Sequence, residues 1–229
     1  MTDYIFAPRP NSHIPIVGSD KVFPVHRIYC VGRNYADHVV EMGFDPDRDP
    51  PVFFQKNPDC AIINNGDFAY PEQSSDVHHE IELVIALGKG GRNIAPENSE
   101  ACIFGFAVGL DMTLRDLQAL CKDNKQPWEI AKAFDRSMPC SAIKPTAQSG
   151  IPHTGSIRLA VNGNIRQQGN LNQMIWKIPE IISYLSRYFE LVPGDLIMTG
   201  TPAGVGAVKR GDVLTGSVEG IGELTARVV

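Results

Sequence analysis

His78-His79-Glu80-Ile81-Glu82-Leu83-Val84-Ile85-Ala86-Leu87-Gly88 reads as an apolar strand with two acids at its head. Along an extended chain residues i and i+2 share a face about 7 Å apart, so the two carboxylates project side by side from a core element. Two like charges held there are costly unless a cation stands between them, and a hard divalent ion prefers carboxylate oxygens. A second apolar run, Phe104-Gly105-Phe106-Ala107-Val108-Gly109-Leu110-Asp111-Met112, has Asp111 as its polar exception. Two glutamates on one strand and an aspartate on a neighbour make a three-carboxylate set suited to Mg2+, Mn2+ or Ca2+, with positions left for water and substrate. Taken singly, each acid also reads as an exposed strand end.

Outward from this pair, further strand-like runs cover 27–31, 52–55, 103–110, 157–161, 196–199, 213–218 and 223–229, with 80–87 as the run just described. A helix is predicted over 178–189, with Pro179 in its first turn and Ile181, Ile182, Leu185, Tyr188 and Phe189 as an apolar stripe. Another is predicted over 114–122, and Pro193-Gly194-Asp195 reads as a turn. Strands and helices do not alternate, which argues against a doubly wound sheet and for a mainly β fold with a few helices. The 229 residues show no internal break or repeat and suit one domain. A formal charge of −5 without a basic tract argues against nucleic acid or an anionic membrane as partner. No apolar leader and no stretch of membrane-spanning length is visible, so a soluble, cytoplasmic protein is expected. Five cysteines without C-x-x-C spacing read as reduced, mostly buried thiols.

Other motifs carry chemistry. The loop Thr199-Gly200-Thr201-Pro202-Ala203-Gly204-Val205-Gly206 fits neither a P-loop nor a dinucleotide fingerprint, having no Gly-Lys-Ser/Thr and Lys209 where a third Gly is needed. It reads either as backbone N–H groups open to a substrate carboxylate or as a plain turn. Asn34 and Gly43 bracket a very short helix on which His38 and Glu41 share a face, either as an imidazole oriented by a carboxylate or as a surface pair. Arg115 and Gln118 share a helix face just beyond Asp111. Lys132 and Lys56 sit among apolar residues, where an anionic neighbour would offset the burial of an ammonium; each also reads as a solvated cation.

The ordered blocks Tyr29-Cys30-Val31-Gly32-Arg33-Asn34-Tyr35, His38-x-x-Glu41, Phe54-Gln55-Lys56, His79-Glu80-Ile81-Glu82, Leu110-Asp111-Met112-Thr113-x-Arg115-Asp116-x-Gln118, Ala131-Lys132-x-Phe134-Asp135 and Thr199-Gly200-Thr201-Pro202-x-Gly204-Val205-Gly206 resemble the fumarylacetoacetate hydrolase family. The resemblance begins near residue 25, leaving 1–24 as an N-terminal extension and 25–229 as the catalytic domain. It implies a mixed β-sandwich roll, a homodimer, and Mg2+ or Mn2+ on Glu80, Glu82 and Asp111. It also raises His38 and Glu41 to a general-base dyad. The blocks are most similar to the family's short members, which hydrolyse acylpyruvates.

That resemblance implies cleavage of a carbon–carbon bond in a 2,4-dioxo acid, with metal chelation of the pyruvyl end. His38 is then expected to activate water, Lys132 and Gln118 to stabilise the oxyanion, and Arg33, Lys56, Arg115 and Thr201 to contact substrate. The three cations Arg33, Lys56 and Arg115 suit a dianion, so the expected substrate is fumarylpyruvate, in gentisate degradation. The competing expectations are an oxaloacetate decarboxylase, a general acylpyruvase, and a non-catalytic metal-binding β-roll.

Overall fold

The computed structural model describes residues 4–7, 10–36 and 49–229. Its centre is a six-stranded mixed sheet in the order Lys144–Pro145, Ile103–Leu110, Ile81–Leu87, Leu196–Met198, Ile28–Gly32, Val52–Lys56. Every neighbouring pair is antiparallel except Leu196–Met198 with Ile28–Gly32, which is parallel. An antiparallel sheet in the order Asn164–Asn170, Ser156–Val161, Val213–Val218, Gly222–Arg227 covers one face. Ile81, Leu83, Ile85, Val108 and Leu110 meet Ile157, Leu159, Leu214, Leu224 and Ala226 in one core between the layers. This is the sandwich roll expected, and no helix among the described residues is long and apolar enough to cross a membrane.

The other face of the central sheet is buried as well. Val84, Ala86, Ala107, Cys30, Leu196 and Met198 lie under a second cluster with Met138, Cys140, Ile143 and the hairpin residues Ile14 and Phe23. Burial on both sides explains why Ile81–Leu87 is a continuous apolar run in which every residue is buried. Side chains alternate along a strand, so Glu80 and Glu82 fall on the side of Val84 and Ala86. By the same parity Asp111 follows Ala107, and Lys56 follows Phe54. Four charged groups from three strands therefore converge at one end of the second face.

Several boundaries differ from expectation. Glu80 stands just ahead of strand Ile81–Leu87, and Asp111 just past Ile103–Leu110, with the Asp111 N–H donating to the Glu80 carbonyl at 2.8 Å. The last long helix is Ile178–Ser186: Ile181, Ile182 and Leu185 are buried, but Tyr188 lies beyond it and is exposed. The helix after Asp111 is Arg115–Asp123. Strand Asn164–Asn170 was not anticipated, because Asn-Ile-Arg-Gln-Gln-Gly-Asn carries no apolar alternation. A small sheet of Gly206–Ala207, Val77–His79 and Thr113–Leu114 sets the glycine loop beside the strand head, with Gly206 opposite His79. All five cysteines are free and buried.

Candidate metal centre and its cavity

One carboxylate oxygen from each of Glu80, Glu82 and Asp111 lies within 4.8 Å of the others, and all three residues are buried. Three cations surround them. The Lys132 ammonium bonds Glu80 Oε2, Asp111 Oδ2 and Thr113 Oγ1, each at 2.7 Å. Arg115 bonds Glu80 Oε1, and Lys56 approaches Asp111 Oδ1 at 2.8 Å. Glu82 meets no ammonium or guanidinium in this set; its Oε2 accepts the Gly200 N–H at 2.7 Å. Burial, then Asp111 and Glu80, push the Glu82 carboxyl well above the usual range.

The donors fit a hard divalent cation. Asp111 Oδ1 is buried and, among the described residues, accepts no hydrogen bond, although the Lys56 ammonium stands 2.8 Å away, so the oxygen keeps lone-pair capacity for a cation. A dication among these oxygens relieves the repulsion that raises Glu82. Lys132 remains protonated here: burial works against its charge, but Asp111 and Glu80 outweigh that and raise its pKa.

The structure redistributes the cations expected to face substrate. Lys56 is not on the cavity wall; it is 2% exposed and donates to Ser137 Oγ at 2.9 Å and to the Lys132 carbonyl. It supports Asp111 from beneath. Arg115 does line the cavity, but it is engaged by Glu80, by Gln118 Oε1 at 2.6 Å and by His78 Nδ1 at 3.4 Å. Lys132 has all three N–H groups committed to Glu80, Asp111 and Thr113, leaving none for an oxyanion.

Gln118 and Thr201 retain donors. With its oxygen held by Arg115, Gln118 presents its NH2 group on the cavity wall. The Thr201 hydroxyl accepts from Gln167 Nε2 at 2.7 Å, which leaves its proton to donate. Gln167 was missed in sequence. Fully buried, it also donates to the Pro202 carbonyl and its Oε1 meets the Ile81 N–H and His79 Nδ1, tying the glycine loop to the strand that carries Glu82.

Gly200 holds φ +94°, and a Cβ there would lie 2.7 Å from Asn34 Cβ. The described contacts of Asn34, read in sequence as a helix cap, form a bridge: Nδ2 donates to the Thr199 carbonyl at 2.8 Å and Oδ1 accepts the Trp176 N–H at 2.7 Å. Gly200→Ala is expected to lower stability by about 1–3 kcal/mol through backbone strain and this clash. A urea midpoint equal to that of the wild type would contradict it.

His38 and Glu41 lie outside the described residues. Val31, Gly32, Arg33, Phe54, Lys122, Trp128 and Lys132 complete the cavity around the acids, Arg115, Gln118 and Thr201. Trp128 and Lys122 had not been anticipated, although Arg115, Gln118 and Lys122 are spaced to share one helix face.

Residues 27–229 match the family model described as fumarylacetoacetate (FAA) hydrolase C-terminal. Over 209 residues the chain is 43% identical to an oxaloacetate tautomerase of Escherichia coli (strain K12), covering 90% of this chain and 94% of the relative. It is 42% identical over 184 residues to a fumarylpyruvate hydrolase of a Ralstonia species, covering 80% and 95%. The crystal structure of fumarylpyruvate hydrolase from Pseudomonas aeruginosa in complex with Mn2+ and pyruvate superposes with a TM-score of 0.97 at 52% identity, covering 99% of each chain.

Proposed function

The chain belongs to the fumarylacetoacetate hydrolase family, and from that membership we propose that it hydrolyses 2,4-dioxo acids, taking fumarylpyruvate and water to fumarate and pyruvate. The observation that carries the reading is a buried three-carboxylate cluster sharing one cavity with the donors Gln118 and Thr201. Glu80, Glu82 and Asp111 would hold one divalent cation, Mg2+ or Mn2+, whose charge draws electron density from the substrate's 1-carboxylate and 2-keto oxygen. Lys56, Arg115 and Lys132 pair with Glu80 and Asp111, which leaves Glu82 and an anionic substrate to balance the ion's charge.

The chain's own groups do the rest. His38, oriented by Glu41, takes a proton from the water that attacks the distal ketone. The Gln118 amide and the Thr201 hydroxyl donate to the oxygen of that ketone as it gains charge. Arg115 and Lys132 hold Glu80 and Asp111 in place rather than touching the reacting atoms. Arg33 is a substrate contact on the cavity wall.

A second reading, keto–enol interconversion of oxaloacetate, is favoured by the similarity to the Escherichia coli tautomerase. It uses the same acids and a proton shuttle but no attack of water on a distal ketone. The test is a panel of fumarylpyruvate, acetylpyruvate and oxaloacetate with Mg2+- or Mn2+-loaded protein. The expected result is release of fumarate, with kcat/KM for fumarylpyruvate above that for acetylpyruvate by a margin worth about 2–4 kcal/mol, since acetylpyruvate leaves a cation unpaired. Equal efficiency on the two would make it a general acylpyruvase. Turnover of oxaloacetate alone, with no second acid released from either dioxo acid, would remove hydrolysis.

A further inference from the structure

Lys122 occupies the cavity wall as a half-buried cation in cationic company. Among the described residues no carboxylate pairs with its ammonium, which lies 5.5 Å from the centroid of the Trp128 ring. Trp128 is itself braced by Phe54, with ring centroids 5.9 Å apart. Burial first, then Arg115 and Arg33, pull the Lys122 pKa down to about 8. An ammonium held this way gains more from an incoming anion than a solvated one does, because the desolvation has already occurred.

Its position supplies direction. Arg115, Gln118 and Lys122 descend one face of helix Arg115–Asp123, and at ~1.5 Å per residue Lys122 stands about 10 Å along the axis from Arg115. Arg115 touches Glu80, so the cavity has an acid-lined end for the metal and a far end marked by Lys122 and Trp128. With Lys56 enclosed beneath Asp111 and Arg115 and Lys132 engaged by the acids, Lys122 and Arg33 are the remaining cations of the wall, and the helix carries Lys122 away from the acids; it lies on no motif block quoted above.

We propose that Lys122, seated against Trp128, binds the distal carboxylate of a dianionic substrate whose other end lies at Glu80, Glu82 and Asp111, and thereby selects dianions over monoanions. This deepens the proposed hydrolysis and rests on its placement of the pyruvyl end at those acids. Trp128 orients the ammonium by a cation–π contact, while the apolar lysine stem lets the charge follow acyl chains of differing length.

The test is calorimetric and needs no turnover. Metal-loaded wild type, Lys122→Met and Lys122→Arg are titrated with oxalate, 2-oxoheptanoate and 2-oxoheptanedioate, the last two differing only in a distal carboxylate. Wild type is expected to prefer the dianion by about 10- to 100-fold, the scale of a hydrogen bond to a charged group. Lys122→Met should lose that preference while binding oxalate and 2-oxoheptanoate as before, and Lys122→Arg should retain most of it. A preference that survives in Lys122→Met overturns the subsite. So does an equal loss of affinity for all three probes, which marks a structural residue. If wild type fails to hydrolyse fumarylpyruvate yet shows a dianion preference that depends on Lys122, the subsite stands and the assigned reaction falls.

Discussion

Glu82→Gln is expected to fold, to be more stable than wild type when free of metal at neutral pH, and to lose turnover by about 10³-fold or more. Both halves follow from one observation. Glu82 is buried beside two other acids, so its carboxyl is raised well above the usual range and its ionised form is destabilised in the fold. A neutral isostere removes that cost, and its side-chain oxygen still accepts the Gly200 N–H. The same charge is what a divalent ion needs from this site, and Lewis-acid stabilisation worth several kcal/mol corresponds to at least three powers of ten at about 1.4 kcal/mol each. Thermal melts and steady-state assays with and without chelator decide it. Wild-type turnover by the variant in chelator-treated buffer would sink the assignment.

His38→Ala is expected to lose about 10²-fold or more in kcat, the usual scale for a positioned acid–base group. His38 lies outside the described residues; among those described, Asn34 bridges Thr199 and Trp176 and lies against Gly200, whose N–H donates to Glu82. Oxalate affinity should change little, because the metal end is untouched. If oxalate affinity fell in step with kcat, His38 would be a binding residue instead of the base.

What the sequence made legible was the backbone frame and the acids. Ile81–Leu87 and Ile103–Leu110 stand out as long apolar runs because the central sheet is buried on both faces, and Glu80, Glu82 and Asp111 stand out by interrupting that pattern. The partners of the cations were not legible. Lys56 and Lys132 each read as a charge in apolar surroundings and Arg115 as one face of the helix beyond Asp111, and nothing in their spacing says which carboxylate each will meet after the chain folds. Packing decides it: segment 129–137 carries Lys132 over Glu80 and Asp111, while parity puts Lys56 beneath Asp111. Gln167 was illegible for the opposite reason. It sits in a polar strand whose fold-level role is hydrogen bonding across the glycine loop, and amide networks leave no periodicity in sequence. Lys122 was recoverable in principle from its spacing to Gln118, once that face was known to line the cavity.

The place of Leu196–Met198 in the central sheet governs when the centre comes into being on the ribosome. The strand pairs Ile28–Gly32 with Val52–Lys56 and Ile81–Leu87 with Ile103–Leu110 are synthesised early, but in the sheet they are joined through this late strand, which slots between them. Glu82 then waits for the Gly200 N–H, 118 residues further along the chain. The pairing of Ile81–Leu87 with Ile103–Leu110 brings Glu80, Glu82 and Asp111 side by side early, but the backbone donor that Glu82 needs arrives only with the late strand. A product that stops short of Leu196 leaves the edges of Ile28–Gly32 and Ile81–Leu87 unpaired and Glu82 without its Gly200 donor, and unpaired edges favour aggregation or proteolysis.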